Sequence, residues 1–410
     1  MTADAGHSDI DGPRAWFRLA VLLALATIGN VGMWSIVVTL PAVQTEFGLD
    51  RGEASLPYTL TMIGFGIGGL VLGRATDRIG TATTIAFAAA MLGTGYVVAS
   101  QAGVFWLYAV VHGVLIGLLG SAAMFAPLMA DASHWFLRRR GLAVSICASG
   151  NYVAGTVWPP AVEYVTRLNG WRTAELGIGL FCAATMLPLT LLLRRKRPEA
   201  GTMRSVDARA DVRTRFGMPL GALQGLLVLA GVACCVAMSM PQVHLVAYCG
   251  DLGYGVARGA DMLALMMACG IVSRIASGWI ADRIGGLATL LGGSLLQSLM
   301  LAHYLPFTGL ASLYVISALF GLVQGGIIPS YAIIVREVFS AREAGTRVGT
   351  VIMATVFGMA LGGWVSGAIF DLTGSYRDAF ANGVAWNVLN LGVVMTLLLR
   401  DRGRREVAVA

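Results

Sequence analysis

Twelve apolar runs follow one another along this chain, each about as long as a helix needs to cross a bilayer. A spanning helix takes roughly 20 apolar residues. The runs fall at 17–41, 54–75, 81–101, 104–130, 140–164, 173–193, 218–247, 257–280, 286–304, 309–335, 344–369 and 377–399. Composition closes off a soluble fold. Charged residues make up 12% of the 410 and hydrophobic residues 57%, with a mean hydropathy of +0.74, whereas soluble domains carry about 25% charge. Half the usual charge cannot cover a surface that faces water, so most of this surface must face lipid. The expected fold class is therefore an all-α membrane protein with twelve transmembrane helices. The first run is too long for the core of a signal peptide and leads into further runs, so it is expected to be the first helix.

The basic residues determine the expected orientation. The net charge is +7, carried by 28 Arg and the single Lys196. The one long polar stretch begins Arg194-Arg195-Lys196-Arg197-Pro198. It divides the chain into an N-terminal six-helix bundle (1–193), a basic cytoplasmic linker (194–217) and a C-terminal six-helix bundle (218–410). With the N-terminus inside, 23 of the 29 Lys+Arg fall in cytoplasmic segments, five in outer segments and one, Arg274, within a span. That asymmetry is the positive-inside pattern and predicts both termini in the cytoplasm. It accounts for the basic balance without nucleic acid. The six cysteines lie almost entirely inside apolar runs, without metal-ligand spacing, and read as small hydrophobic residues. No metal or cofactor is expected.

The two halves repeat one another. Gly73-Arg-Ala-Thr-Asp77-Arg78-Ile-Gly80 follows the second span, and Gly278-Trp-Ile-Ala-Asp282-Arg283-Ile-Gly285 follows the eighth. Arg139-Arg140-Gly141 and Arg342-Glu-Ala-Gly345 form a second pair at nearly the same offset. Duplicated six-span halves are one architecture of secondary transporters. The repeated G-x-x-x-D-R-x-G resembles the signature of the major facilitator superfamily, a resemblance that runs through the whole chain. It departs from the family pattern after Gly80, where Thr81-Ala82 replace the usual basic pair. The resemblance implies two pseudo-symmetric bundles that rock about a midplane cavity. Gly73, Asp77, Arg78, Gly278, Asp282 and Arg283 would then be gating latches. Asp77 would face the start of span eleven near Arg342 and Arg347, and Asp282 the start of span five near Arg139 and Arg140. The bland alternative is that these residues only set loop geometry. Glycines at four-residue spacing (Gly64/Gly68, Gly69/Gly73, Gly113/Gly117 and Gly358/Gly362) predict close helix approach.

A narrower resemblance lies in Gly141-Leu-Ala-Val-Ser-Ile-Cys-Ala-Ser-Gly150 with Pro159-Pro160, His244-Leu-Val-Ala-Tyr248 with Asp251, Ser273-Arg274, and Gly367-Ala-Ile-Phe-Asp371-Leu-Thr-Gly-Ser-Tyr376. Together these strings resemble the monocarboxylate transporter branch, which is close to the oxalate:formate antiporters. In that branch the span-eight arginine binds the substrate carboxylate, and Arg274 falls on its position.

Arg274 also stands out on physical grounds alone. A cation near a span centre costs about 2.5–3.5 kcal/mol on insertion scales and marks a functional site by default. It lies eight residues before Asp282, about 12 Å along a helix axis. Its planar fork suits both oxygens of a carboxylate. The alternative is a packing or gate arginine. Gly270 stands where animal monocarboxylate transporters have Asp, and span eleven lacks the second cation of the oxalate:formate antiporters. One cation argues for one carboxylate, because a dianion would leave a charge unpaired.

His244 and His112 are expected as secondary contacts to a carboxylate or as proton carriers, against a plain alternative of neutral histidines bonded to carbonyls. Asn30, Asn151, Tyr152 and Gln324 are mid-span polar residues that serve as ligands or as interhelical glue. Phe357 is a candidate pocket wall. No Asp or Glu is placed at a span centre, and Asp131, Asp261, Glu163 and Glu337 are assigned to span ends, which weakens a cation- or drug-exporter reading. Phosphate loops, metal pairs and nucleophile elbows are absent from the sequence. The expectation is a non-enzymatic, monomeric transporter of a small monocarboxylate, with protons as a possible co-substrate. Compact loops and the Arg-over-Lys bias point to a bacterial inner membrane. Anion exchange and a non-transporting sensor stay open.

Overall fold

The computed structural model describes residues 10–194, 216–339 and 341–409. Most of the predicted linker and the side chain of Arg342 thus lie outside the described residues. All regular structure among the described residues is helical. It forms α1 (Pro13–Phe47), α2 (Arg51–Ile79), α3 (Thr81–Ser100), α4 (Phe105–Trp135), α5 (Arg140–Asn169), α6 (Trp171–Leu191), α7 (Leu220–Asp251), α8 (Val256–Ile284), α9 (Gly286–His303), α10 (Leu310–Val338), α11 (Ala341–Thr373) and α12 (Tyr376–Val409). Eleven of them are long and apolar enough to cross a membrane. The twelfth, α5, has 30 residues, but Asn151, Tyr152, Pro159 and Pro160 lower its hydropathy.

Two compact units form: Met1–Met203 with Cys249–Ala264, and Arg204–Tyr248 with Leu265–Ala410. The end of α7 and the start of α8 thus belong to the first unit.

Three joints between helices share one backbone conformation. Gly80 (φ 87, ψ 158), Gly170 (φ 82, ψ 160) and Gly285 (φ 82, ψ 161) each end one helix and cap the next. Side chains exclude almost every residue but glycine from this region. The conserved geometry of Gly80 and Gly285 gives the sequence repeat a physical cause. A single-residue joint leaves no slack between the two helices of each pair.

Two helices of the first unit break where they meet. α1 is interrupted at Asn30, whose Nδ2 donates to the Ala26 carbonyl at 2.6 Å. α4 runs α-helical over Phe105–Val111, π-helical over His112–Gly120 and 3₁₀ over Ser121–Met124 before resuming. Non-helical backbone in a membrane persists only where neighbours satisfy the freed groups. Here Ser121 Oγ donates to the Gly29 carbonyl at 2.8 Å, and Thr61 Oγ1 of α2 donates to the His112 carbonyl at 3.2 Å.

Glycines permit this intimacy. A Cβ on Gly64 or Gly68 would overlap the carbonyls of Gly113 and Leu118, and one on Gly117 would meet the Thr61 carbonyl at 2.6 Å. In the second unit, Gly358 and Gly362 of α11 press on α7 at Val232, Val236 and Ser239. Gly69, Gly73 and Gly278 face open space within 4 Å. The four-residue spacing therefore brings backbones together at three of the four predicted pairs and not at Gly69/Gly73.

Candidate functional site

In the second unit the site residues gather where α8 meets a broken α10. α10 is interrupted at Gly325-Gly326. A Cβ on Gly325 would overlap the Gly270 carbonyl and meet Arg274 N at 2.9 Å. Arg274 is half-buried and sits on the stretch of α8 that the α10 break presses against. Gln324, immediately before the break, is fully buried and accepts a 2.7 Å hydrogen bond from Gln242 Nε2 of α7. Gln242 Oε1 and Gln324 Nε2 then have no hydrogen-bond partner. A buried amide pair with one idle acceptor and one idle donor is costly, and it suits an incoming polar group. Sequence reasoning missed Gln242. Its signal was the Pro241-Gln-x-His244 string, in which only the histidine drew attention.

His244 is placed differently. It is fully buried, its Nε2 donates to the Gly363 carbonyl at 2.7 Å, and its Nδ1 accepts from Tyr376 Oη at 3.2 Å. These partners occupy both ring nitrogens, and in a neutral ring the Gly363 carbonyl, which can only accept, places the proton on Nε2. Phe357 leaves 54% of its surface uncovered by protein.

The first unit holds charge. Arg18 and Asp131 are both buried and pair bidentately, Nε to Oδ2 at 2.7 Å and NH2 to Oδ1 at 3.1 Å. Thr81 Oγ1 adds a 2.8 Å bond to Oδ1, and Trp135 lies under the guanidinium at 4.7 Å. Arg51 donates from NH2 to both oxygens of Asp251 at 3.0 Å. Asp131 was assigned to a span end, but ending a span did not leave it exposed, because α1 and α3 close over it.

Sequence reasoning left out Glu175 of α6, which lies four residues into the helix, away from the span centre, and is fully buried. His112 Nε2 lies 3.5 Å from Glu175 Oε2, and Tyr108 Oη donates to Glu175 Oε1 at 3.2 Å. The ground for discounting a buried acid therefore falls. The pair was traceable. Under the predicted orientation α4 and α6 both start at the same face. His112 is seven residues beyond Phe105 and Glu175 four beyond Trp171, which sets them at similar depth.

Asn30 Nδ2 also reaches the Met124 carbonyl at 3.5 Å, while its buried Oδ1 has no hydrogen-bond partner. Asn151 accepts from Trp34 Nε1 at 3.2 Å through both its backbone and side-chain oxygens. Tyr152 is buried beside it. Asp77, Arg78, Asp282 and Arg283 are exposed at the ends of α2 and α8, with the Arg283 guanidinium over Trp279 at 3.4 Å.

A bundle of membrane-spanning helices, broken at facing positions and carrying charge in its interior, is the construction of a transporter and not of an enzyme. The chain belongs to the Major Facilitator Superfamily, whose domain pattern matches residues 22–311. Among its relatives is the MFS-type transporter pynF of Aspergillus niger, 24% identical over 393 residues, 94% of this chain and 88% of that protein. Monocarboxylate transporter 13 of Bos taurus is 28% identical over 293 residues, 69% of this chain and 66% of that protein. The solved structure of a peptide transporter, POT, superposes with a TM-score of 0.75 at 14% identity, over 95% of this chain and 96% of that one. This last likeness is one of fold.

Proposed function

We propose that the protein moves a small organic monocarboxylate, of lactate or pyruvate size, by alternating access and with a coupled proton. It acts as a monomer in a bacterial inner membrane with both termini cytoplasmic. The observation that carries the proposal is Arg274, a half-buried intramembrane cation on the stretch of α8 that Gly325 of the α10 break presses against; the break directly follows the buried amide of Gln324, which is hydrogen-bonded to Gln242. The guanidinium anchors the carboxylate, and the idle amide groups receive a neighbouring hydroxyl or carbonyl oxygen. Similarity to a monocarboxylate transporter supports this substrate class. Asp77/Arg78 and Asp282/Arg283, at the two glycine joints, act as the gating latches in this reading.

The test is uptake of labelled lactate, pyruvate, oxalate and malonate into proteoliposomes, with and without a pH gradient. A hydrogen bond to a charged group contributes about 1.5–3 kcal/mol, so Arg274→Ala is expected to weaken carboxylate binding at least tenfold. Arg274→Lys, which keeps the charge but loses the fork, recovers part of it. Protein yield and melting temperature distinguish loss of binding from loss of folding. A well-folded Arg274→Ala protein with normal carboxylate transport sinks the proposal. Oxalate or malonate outcompeting the monoacids overturns the one-cation argument and favours anion exchange.

A further inference from the structure

The least satisfied polar groups in the first unit surround one histidine and one glutamate. His112 and Glu175 are both 0% exposed. Neither His112 nitrogen nor Glu175 Oε2 has a hydrogen-bond partner. At 3.5 Å, the contact between Nε2 and Oε2 is too long for a good N–H···O bond. Buried polar atoms are nearly always paired, and a cluster of exceptions demands a reason.

The surroundings are built to hold this geometry. The His112 ring lies 4.4 Å from that of Tyr108 and makes an edge contact with Tyr96 at 6.0 Å. Both hydroxyls are tied to α1, with Tyr96 Oη 2.7 Å from Ser35 Oγ and Tyr108 Oη 3.3 Å from Thr39 Oγ1. The titratable groups facing the pair are therefore Tyr96 on α3 and Tyr108 on α4, and α6 adds Cys182, close to Tyr96. The nearest charged partners on α1 and α6 are Glu46 and Arg172, which neutralise each other in an ion pair. From α2 comes the Thr61 hydroxyl, bonded to the His112 carbonyl. No second cation faces Glu175 among these groups.

We infer that His112 and Glu175 form a one-proton binding site inside the first unit and that its proton is the one coupled to transport. With neutral imidazole and ionised carboxylate the pair carries one negative charge in a low-dielectric interior, which is strongly disfavoured. One added proton makes it neutral overall, either as imidazolium with carboxylate or as imidazole with carboxylic acid. Both forms can bridge Nε2 and Oε2 with an N–H···O or O–H···N bond while leaving no net charge on the pair. His112 also opens the π-helical stretch of α4, a local irregularity that recurs at functional sites. A change of charge there acts on the segment where α4 lies tightest against α2. The coupling half of this inference rests on the transport reading; the proton site itself does not.

The experiment is a pH titration of the purified, substrate-free protein, followed by infrared difference spectroscopy of carboxyl and imidazole bands. The wild type is expected to show a buried carboxyl or imidazolium signal that changes as one proton is taken up. Glu175→Gln should abolish the carboxyl component. His112→Gln should displace its midpoint by at least tenfold in proton concentration. Tyr108→Phe removes the hydroxyl on Oε1 but keeps the ring and should displace the midpoint in a protein that folds normally. Absence of the signal in the wild type, or an unmoved midpoint in His112→Gln and Tyr108→Phe, overturns the site. Proton counting during pH-gradient-driven uptake separates the two proposals. An intact titration without monocarboxylate uptake rejects the substrate alone. Proton-driven uptake that Glu175→Gln leaves pH-dependent rejects the coupling role.

Discussion

The two units hold their interiors together with different chemistry. In the first, Arg18 meets Asp131, Arg51 meets Asp251 and His112 meets Glu175. In the second, Asn387 of α12 donates to the Ser294 carbonyl at 2.8 Å and to Ser298 Oγ at 2.9 Å. Asn390 donates to Ser294 Oγ at 2.7 Å and accepts from Tyr331 at 3.1 Å. Gln242 pairs with Gln324. Both units use the same glycine joint, at Gly80 and Gly285, so the helical framework does not depend on which polar groups fill it. Amides join helices without responding to pH. Buried ion pairs are poor stabilisers compared with apolar packing, yet removing one partner of such a pair costs more than losing a hydrogen bond between neutral groups.

The sharpest way to break this comparison is to remove one member from each kind of network. Asp131→Ala strands Arg18 in a buried site and is expected to cost about 3–5 kcal/mol. Asn387→Ala removes three hydrogen bonds between neutral groups, two that it donates and one that it accepts from Asn390, and is expected to cost about 1–3 kcal/mol. Chemical denaturation in detergent compares them directly. Equal losses would mean that the charged and amide interiors are energetically alike.

A second comparison concerns glycine. Gly68→Ala drives a methyl into the Leu118 carbonyl and should cost about 1–3 kcal/mol through overpacking. Gly325→Ala meets the Gly270 carbonyl in the other unit and should behave alike. Gly73→Ala enters open space and should melt within a degree or two of wild type. A strong loss at Gly73 would show that the latch motif needs its glycine for packing after all.

The smallest effect is at the edge of the first unit. Asp11 accepts the backbone N–H groups of Arg138 at 3.0 Å and Leu137 at 3.2 Å. The Arg138 N–H is the main cause that holds the Asp11 carboxyl below the ordinary carboxylate value. A depressed carboxyl contributes stability at neutral pH, and the contribution fades only as pH falls through its lowered value. The Asp11 side chain is half-buried at the surface, and Asn keeps its shape and an acceptor oxygen, so Asp11→Asn should cost no more than about a few tenths of a kcal/mol. Its readout is faster amide exchange at Leu137 and Arg138 near neutral pH, relative to wild type at the same pH. Unchanged exchange would remove Asp11 as a tether.

Much of the framework was legible before any coordinates. Length and hydropathy located every long helix, with ends mostly within several residues and α12 running ten residues beyond its apolar run, because a segment in lipid must satisfy its own backbone and only a helix does so. The Gly-x-x-x-Asp-Arg-x-Gly repeat located two of the three single-glycine joints, and Gly170, in Arg167-Leu-Asn-Gly170-Trp-Arg172, went unnoticed because it stands outside that motif. Arg274 was legible as a lone cation within an apolar run. Glu175 was not, since a carboxylate four residues inside a helix looks like an interfacial residue until its neighbours are known. Nor was the Gln242–Gln324 pair, whose members lie 82 residues apart.

The sequence by itself determined the membrane environment, the helical class, the repeat and the family, because these follow from local hydropathy and from motifs a few residues long. Only the tertiary structure decided which polar residues are partnered. It satisfied both nitrogens of His244, left those of His112 idle beside Glu175, and closed α1 and α3 over Asp131. The reason is physical: burial and hydrogen bonding depend on which helices pack side by side, and in a chain where nearly every helix is apolar all round, periodicity carries little information about its neighbours.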